Sequence, residues 1–334
     1  MSDRILLAHG SGGKLGHELV EKTFVRALSN PYLSKLDDSA SFDLSGRLAF
    51  TTDSYVVDPI FFPGGDIGRL AICGTVNDLA MVGATPLYLS LSLIIEEGFL
   101  QEDLRRVVGS IKAAAEEAGV VIITGDTKVV HRGKADGIFI NTAGLGIIPE
   151  GVDISGSNAR PGDKVILSGS LGDHGIAVLS RREGLSFSTE LKSDVAPLNK
   201  LVAEMLAACP RIHCLRDPTR GGLATTLNEI AQKSGVSIRL EEEKIPVREE
   251  VRAACEMLGL DPLYVANEGK AVVVVPTEEA EHVLEAMRQN PYGKQAMLIG
   301  EVREEHPGRV ILKTRLGTSR IVDMLVGDPL PRIC

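Results

Sequence analysis

The chain has 334 residues, 44% hydrophobic and 24% charged, with 36 basic and 45 acidic residues and a formal net charge of −9. This length suggests two domains, with enough apolar material for a core that needs no metal or disulfide staples. The acidic balance argues against non-specific nucleic-acid binding, and 4% aromatics without Trp leaves few platforms for stacking single strands.

The N-terminus offers only a short apolar run, Ile5 to Ala8, too short for a signal-peptide core. His9-Gly10-Ser11-Gly12-Gly13-Lys14 follows as a glycine-rich loop. It departs from a P-loop, because Ala8 and Leu15 stand where that motif needs Gly and Ser or Thr. Its exposed amides and Lys14 suit an anion, and a mobile turn is the alternative. Arg47 to Thr52 reads as a strand ending at Asp53, and Ile67 to Val82 as an apolar helix stopped by Gly83 and Pro86. Leu87 to Ile95 is apolar but too short to span a membrane. Glu102 to Ala118 has helical periodicity with Gly119 as its C-cap. Val120 to Thr124 and Ile138 to Ile148 read as strands.

Turn-forming residues from Pro149 to Gly162 put a domain boundary near residue 155. The second half opens with a strand at Lys164 to Ser168. Helices are expected at Ala196 to Ala208, Leu223 to Ser234, Val247 to Leu258 and Glu278 to Gln289. Strands at Ser237 to Leu240, Ala271 to Val275 and Val310 to Lys313 alternate with them. Both halves are therefore α+β. The prolines of Gly327-Asp328-Pro329-Leu330-Pro331-Arg332-Ile333-Cys334 favour an extended conformation, a flexible arm carrying a thiol or simply a frayed end. The other cysteines, Cys73, Cys209, Cys214 and Cys255, form no CxxC pair and read as small core residues in a reducing cytoplasm.

The strongest chemical pattern is a series of aspartates at the ends of apolar segments: Asp37-Asp38, Asp53, Asp78, Asp126 and Asp217. Carboxylates are hard donors that suit Mg²⁺, and each residue has helix capping or turn closure as its alternative. Ser168-Gly169-Ser170-Leu171-Gly172-Asp173-His174-Gly175 is a second glycine-rich loop without the dinucleotide spacing. Asp217-Pro218-Thr219-Arg220-Gly221-Gly222 leads into a helix, where free amides make an anion site and Asp217 or Thr219 a cap. Glu268 and Lys128 form a possible proton-transfer pair if the fold joins them. The scattered histidines lack zinc spacing, and no GxSxG elbow supports a hydrolase triad.

The ordered series HGSGGK, DDSA, TTDSY, GTVNDLAMVGATP, GDTKVV, DPTRGGLA, NEGK and terminal PRIC resembles the HypE family of hydrogenase maturation factors, over essentially the whole chain. That family belongs to the AIR-synthetase-like (PurM-like) ATP-binding superfamily, and PRIC is its most specific element. The resemblance implies a two-domain PurM-like α+β fold with mixed sheets, spanning 1–155 and 156–322, with a mobile tail over 323–334. It implies a homodimer joined through the N-terminal sheets, with ATP in a cleft near that interface. By motif position Asp38, Asp53, Asp78 and Asp126 would hold Mg²⁺. Gly10, Ser11, Gly12, Gly13, Lys14, Asp38, Asn77, Asp78, Thr127 and Asp217 would bind the nucleotide. The implied reaction is ATP-dependent dehydration of an S-carbamoyl group on Cys334 to a thiocyanate. HypF would supply the carbamoyl group, and the cyano group would pass to the HypC–HypD complex for a nickel–iron hydrogenase. Glu268 and Lys128 would be catalytic, with Lys134 as a substitute for Lys128. The alternatives are a selenophosphate synthetase, a thiamine-monophosphate kinase, or a non-catalytic carbamoyl carrier.

Overall fold

A computed structural model of the chain describes residues 4–11, 13–184, 191–325, 327 and 330–334. Gly12, assigned to the nucleotide loop, lies outside them. The first half is built on a four-stranded sheet of β1 (Arg47–Tyr55), β2 (Thr85–Glu96), β3 (Val121–Val130) and β4 (Ile138–Ile148). Its order is β1-β4-β2-β3, with β2 and β3 parallel and the other pairs antiparallel. A short helix α1 (Lys14–Leu19) precedes it, and α2 (Ile67–Met81) and α3 (Gln101–Ala118) cover one face.

In α2 nearly every residue is buried, which is what an all-apolar helix between layers requires. Asp66 caps it, accepting from the amides of Gly68 (2.8 Å) and Arg69 (2.9 Å). Gly74 lets the helix meet β1, since a Cβ there would lie 2.3 Å from the Tyr55 hydroxyl. α3 ends at Gly119 in the left-handed conformation (φ 77°), as its sequence requires.

The second half carries β5 (Lys164–Leu167), α4 (Asp173–Glu183), α5 (Asn199–Ala208), β6 (Cys214–Arg216), α6 (Gly222–Ser234) and β7 (Ser237–Glu241). It continues with α7 (Glu249–Leu258), β8 (Val272–Val275), α8 (Ala280–Gln289), β9 (Met297–Arg303), β10 (Val310–Lys313) and β11 (Ser319–Val322). Its seven-stranded sheet runs β11-β10-β7-β9-β5-β8-β6 and is mixed, β7 and β10 being its parallel pair. The fold is thus α+β with mixed sheets, as expected. Cys73, Cys209, Cys214 and Cys255 are all buried in it. Among the described residues, no helix is long and apolar enough to cross a membrane.

Two strands extend beyond their expected ends. β1 runs on to Tyr55 and β3 to Val130, so Asp53 and Asp126 lie within strands rather than after them. Both are edge strands, where polar side chains continue a ladder at little cost. The Leu87 to Ile95 run is the inner strand β2, and the second glycine-rich loop turns at Gly172 (φ 82°) into α4.

Candidate functional site

The expected site residues fall into two groups. The first surrounds a cavity of about 320 Å³ between α1 and β3. Gly10, Asp126, Thr127 and Lys128 line it, with Asp37 and Ser39. Gly10 packs on β3, where a Cβ would lie 2.5 Å from the Val129 nitrogen. Ser11 Oγ donates to the Ala8 carbonyl (3.0 Å), Gly13 precedes α1, and Lys14 is exposed at its start. Asp38 is exposed in the loop between two cavity residues. Lys128 pairs with Asp126 at 2.9 Å.

The second group is an acidic cluster where the two halves meet. Asp53 and Asp78 come from β1 and α2, Asp217 follows β6, and Glu268 precedes β8. Thr51 Oγ1 donates to Asp78 Oδ2 (2.9 Å), and Asn141 Nδ2 to the Asp53 carbonyl (2.8 Å). Burial raises the Asp78 carboxyl, and Asp53 pushes it further in the same direction. Asp217 is pushed up to about 7 by burial and then by the Asp78 charge. Glu268 is 4% exposed, and its Oε1 has no hydrogen-bond partner. Burial, then Asp217, Asp194, Asp53 and Asp78, hold its pKa well above the usual carboxylate range. An acid assembly with carboxyls raised in this way has the chemistry that suits a cation or a proton in transit.

Sheet order separates the two groups. Asp53 pairs with Thr142, Thr142 with Leu91, and Leu91 with Gly125, the neighbour of Asp126. Three strand spacings make about 14 Å. A Mg²⁺–oxygen bond is about 2.1 Å, so Asp53 and Asp126 of one chain do not share an ion. Among the described residues, no group of three His, Cys, Asp or Glu is arranged to hold a metal. Within a single chain the four aspartates therefore lie in two separate places. The same separation keeps Lys128, on the far edge strand, away from Glu268. Lys134 sits in the loop His131–Asp136, whose Asp136 pairs with Arg332 of the tail at 2.5 Å.

Asn77 does not present its amide to solvent. It is 1% exposed, donates to the carbonyls of Ala196 (3.0 Å) and Glu268 (3.3 Å), and accepts from the Leu198 amide (2.7 Å). Its expected nucleotide contact is corrected to a brace that fixes the Glu268 backbone to α2. Likewise α6 starts at Gly221 (φ 76°) without a side-chain cap, so neither Asp217 nor Thr219 caps it.

Sequence reasoning missed Asp194. Its carboxylate accepts from the amides of Glu268 (3.1 Å) and Gly269 (3.3 Å) and from Lys270 Nζ (2.9 Å). No pattern marks it, because its segment is irregular. NEGK does carry a signal once Asp194 is known: a Cβ at Gly269 would fall 1.8 Å from the Asp194 carbonyl oxygen.

The tail lies against the body. Leu330 (7% exposed) and Ile333 (3%) join the first core cluster, with Cys334 packed beside them. The Val56 amide donates to the backbone oxygen of Cys334 (3.3 Å) and the Asp58 amide to that of Arg332 (3.2 Å), an antiparallel step just beyond β1. The arm expected to be mobile thus has a defined docked position at the end of the strand that carries Asp53.

The first half matches a family model for the N-terminal domain of AIR synthase related proteins over residues 36–148, and the second its C-terminal domain over 160–313. The carbamoyl dehydratase HypE of Azotobacter vinelandii is 57% identical over 329 residues, covering 98% of this chain and 96% of that protein. A crystal structure of the hydrogenase maturation protein HypE in complex with ATP superposes with a TM-score of 0.96 at 52% identity, covering 98% of this chain and 99% of that one. A chain of a HypE–HypF complex superposes with a TM-score of 0.82 at 53% identity, covering 92% and 99%.

Proposed function

The chain belongs to the HypE family of carbamoyl dehydratases, and from that premise we propose that it dehydrates an S-carbamoyl group on its own Cys334 to a thiocyanate, using ATP. The observation that carries this reading is the docked tail: Cys334 ends an arm paired to the continuation of β1, the strand whose Asp53 belongs to the same acidic cluster as Glu268. A selenophosphate synthetase or a thiamine-monophosphate kinase gives no use to such an arm.

An amide oxygen leaves poorly, and phosphorylation by ATP turns it into a good leaving group. The nitrogen must then lose protons as the nitrile forms, which calls for a base. Glu268 has the chemistry of one, because a carboxylate with a raised pKa holds a proton more strongly than an ordinary one. Lys134 is the favoured cationic partner, since its loop reaches the tail while Lys128 is occupied with Asp126 on the far edge. The 10–14 loop and Thr127 border the first cavity and suit the nucleotide's phosphates.

Asp53, Asp78 and Asp217 are hard oxygen donors, and burial raises the Asp78 carboxyl and pushes that of Asp217 up to about 7, a set that fits Mg²⁺. The ion, when bound, would neutralise charge on the phosphates. Asp126 and Asp38 would contribute from a second copy. The sheet face supports such a homodimer, because Phe50 is 73% exposed, Leu48 two residues before it is exposed on the same side of β1, and Ile94 is a further exposed apolar residue on β2. Phe50→Glu is expected to convert the dimer to a monomer in light scattering and to weaken ATP binding. An unchanged mass would remove this face as the interface.

HypF is the proposed carbamoyl donor, the HypC–HypD complex the acceptor of the cyano group, and the cytoplasm the compartment, which suits four unpaired buried thiols. The deciding measurement is intact mass after incubation with carbamoyl phosphate, ATP, Mg²⁺ and a HypF-type transferase. One carbamoyl adduct is expected, followed by loss of one water only with ATP, and neither in Cys334→Ala. An adduct that never loses water returns the carrier reading. No adduct, with an active transferase, sinks the role of the thiol.

A further inference from the structure

The proposed reaction asks Cys334 to serve two places, its own site and a donor's. Something must therefore set how long the arm stays home. Four backbone oxygens of the arm, those of Pro331, Arg332, Ile333 and Cys334, all accept hydrogen bonds from the body. Two of these donors are side chains of one helix, α4.

Arg182 spreads its guanidinium between body and arm. Nε donates to the Asp58 carbonyl (2.8 Å), Nη1 to Pro331 (2.8 Å) and Nη2 to Arg332 (2.8 Å). Only a planar fork of several donors spans three carbonyls in this way. His174, fully buried, reaches the Ile333 carbonyl through Nε2 (2.8 Å). That carbonyl can only accept, so Nε2 carries the proton. Nδ1 faces Ser193 Oγ (2.8 Å), which itself accepts from the Val195 amide (3.1 Å). Burial favours the neutral ring despite the nearby Asp194, so Ser193 donates and the order runs Val195, Ser193, His174, Ile333. Phe62 packs edge-on to the imidazole at 5.4 Å and fixes its plane. Against these holds, Arg332 sits in the left-handed region (φ 55°), which a non-glycine residue adopts at a cost. The arm is held by specific contacts in a conformation it would not choose alone.

We propose that Arg182 and His174 form a latch that keeps the Cys334 arm docked, and that the strength of this latch sets how the thiol divides its time between dehydration here and carbamoylation by the donor. The partition rests on the thiocarbamoyl reading above. The latch itself does not.

Arg182→Ala and Arg182→Lys test it, because Arg182 is a surface residue whose loss spares the core. The first readout is the rate at which iodoacetamide alkylates the full chain, followed by intact mass with Cys334→Ser as background. The four other cysteines are buried, so the signal belongs to Cys334. Arg182→Ala is expected to raise the rate about tenfold, the equilibrium effect of losing roughly one charged hydrogen bond. Arg182→Lys should fall between, since an ammonium cannot span the same carbonyls. The second readout is the split in the reaction: carbamoylation by a HypF-type transferase unchanged or faster, and single-turnover dehydration of the loaded chain slower. Equal alkylation of wild type and Arg182→Ala would overturn the latch. Faster alkylation with both reaction steps unchanged would overturn its role in partition. If wild type accepts no carbamoyl group, the function reading fails, and the alkylation rates still decide the latch.

Discussion

Glu268→Gln is expected to leave carbamoylation of Cys334 intact and to slow dehydration by about 10²- to 10⁴-fold, the usual worth of a positioned base. The two side chains have the same shape, so packing is kept. Only the ability to take a proton is lost. The substitution should not unfold the protein, because Glu268 is already 4% exposed, lacks a partner for Oε1, and is surrounded by Asp217, Asp194, Asp53 and Asp78. Removing an ionisable group from such a place relieves a burden on the fold. A loss of rate without a loss of stability is therefore the signature sought. The check is single-turnover mass spectrometry on chain already loaded with the carbamoyl group. Wild-type speed in the variant would take Glu268 out of the chemistry and return attention to the loop that carries Lys134.

Why the sequence pointed to Glu268 but not to its surroundings follows from what each signal depends on. Helix Gln101–Ala118 and strands Ile138–Ile148 and Val310–Lys313 were legible because local periodicity and caps dictate them. Strand alternation is blurred in the sequence of β2, because both its faces hold apolar residues. α4 hid behind glycines that packing requires: a Cβ at Gly175 would lie 2.5 Å from Val265 Cγ1. The aspartates were each visible, but their grouping depends on strand order. With β1 and β3 at opposite edges, residues that look alike in sequence divide into a cavity rim and a half-buried cluster. The burial of Asn77 is hidden for a related reason, since an Asn beside an Asp in a motif carries no sign of which of them turns inward. His174, Arg182 and Asp194 act through long-range contacts, and no local pattern announces them.

Asp194→Asn is the second large effect, and it separates holding the site from doing the chemistry. The Asp194 side chain is 3% exposed and that of Lys270 10%, so the pair is buried. Removing one charge leaves the other uncompensated, which costs about 3–5 kcal/mol in such pairs. The urea midpoint at neutral pH should fall accordingly. Dehydration should fall with it, because the same carboxylate accepts from the Glu268 and Gly269 amides. The backbone has no room to adjust, as Gly269 is in tight contact with the Asp194 carbonyl. The pH dependence follows from the direction of the shift. Burial alone would raise the Asp194 pKa, but the Lys270 ammonium and the Glu268 amide outweigh it and hold it below the usual range. A depressed carboxyl contributes its full stability above the unfolded value, about pH 4, and loses it as pH falls through the folded value. Wild type and variant should therefore differ most at neutral pH and converge in acid. A gap that stays constant down to acid pH would mean that the variant acts by altered packing and not by the lost charge. An unchanged midpoint would mean that Lys270 finds another partner and that Asp194 is not the brace of Glu268.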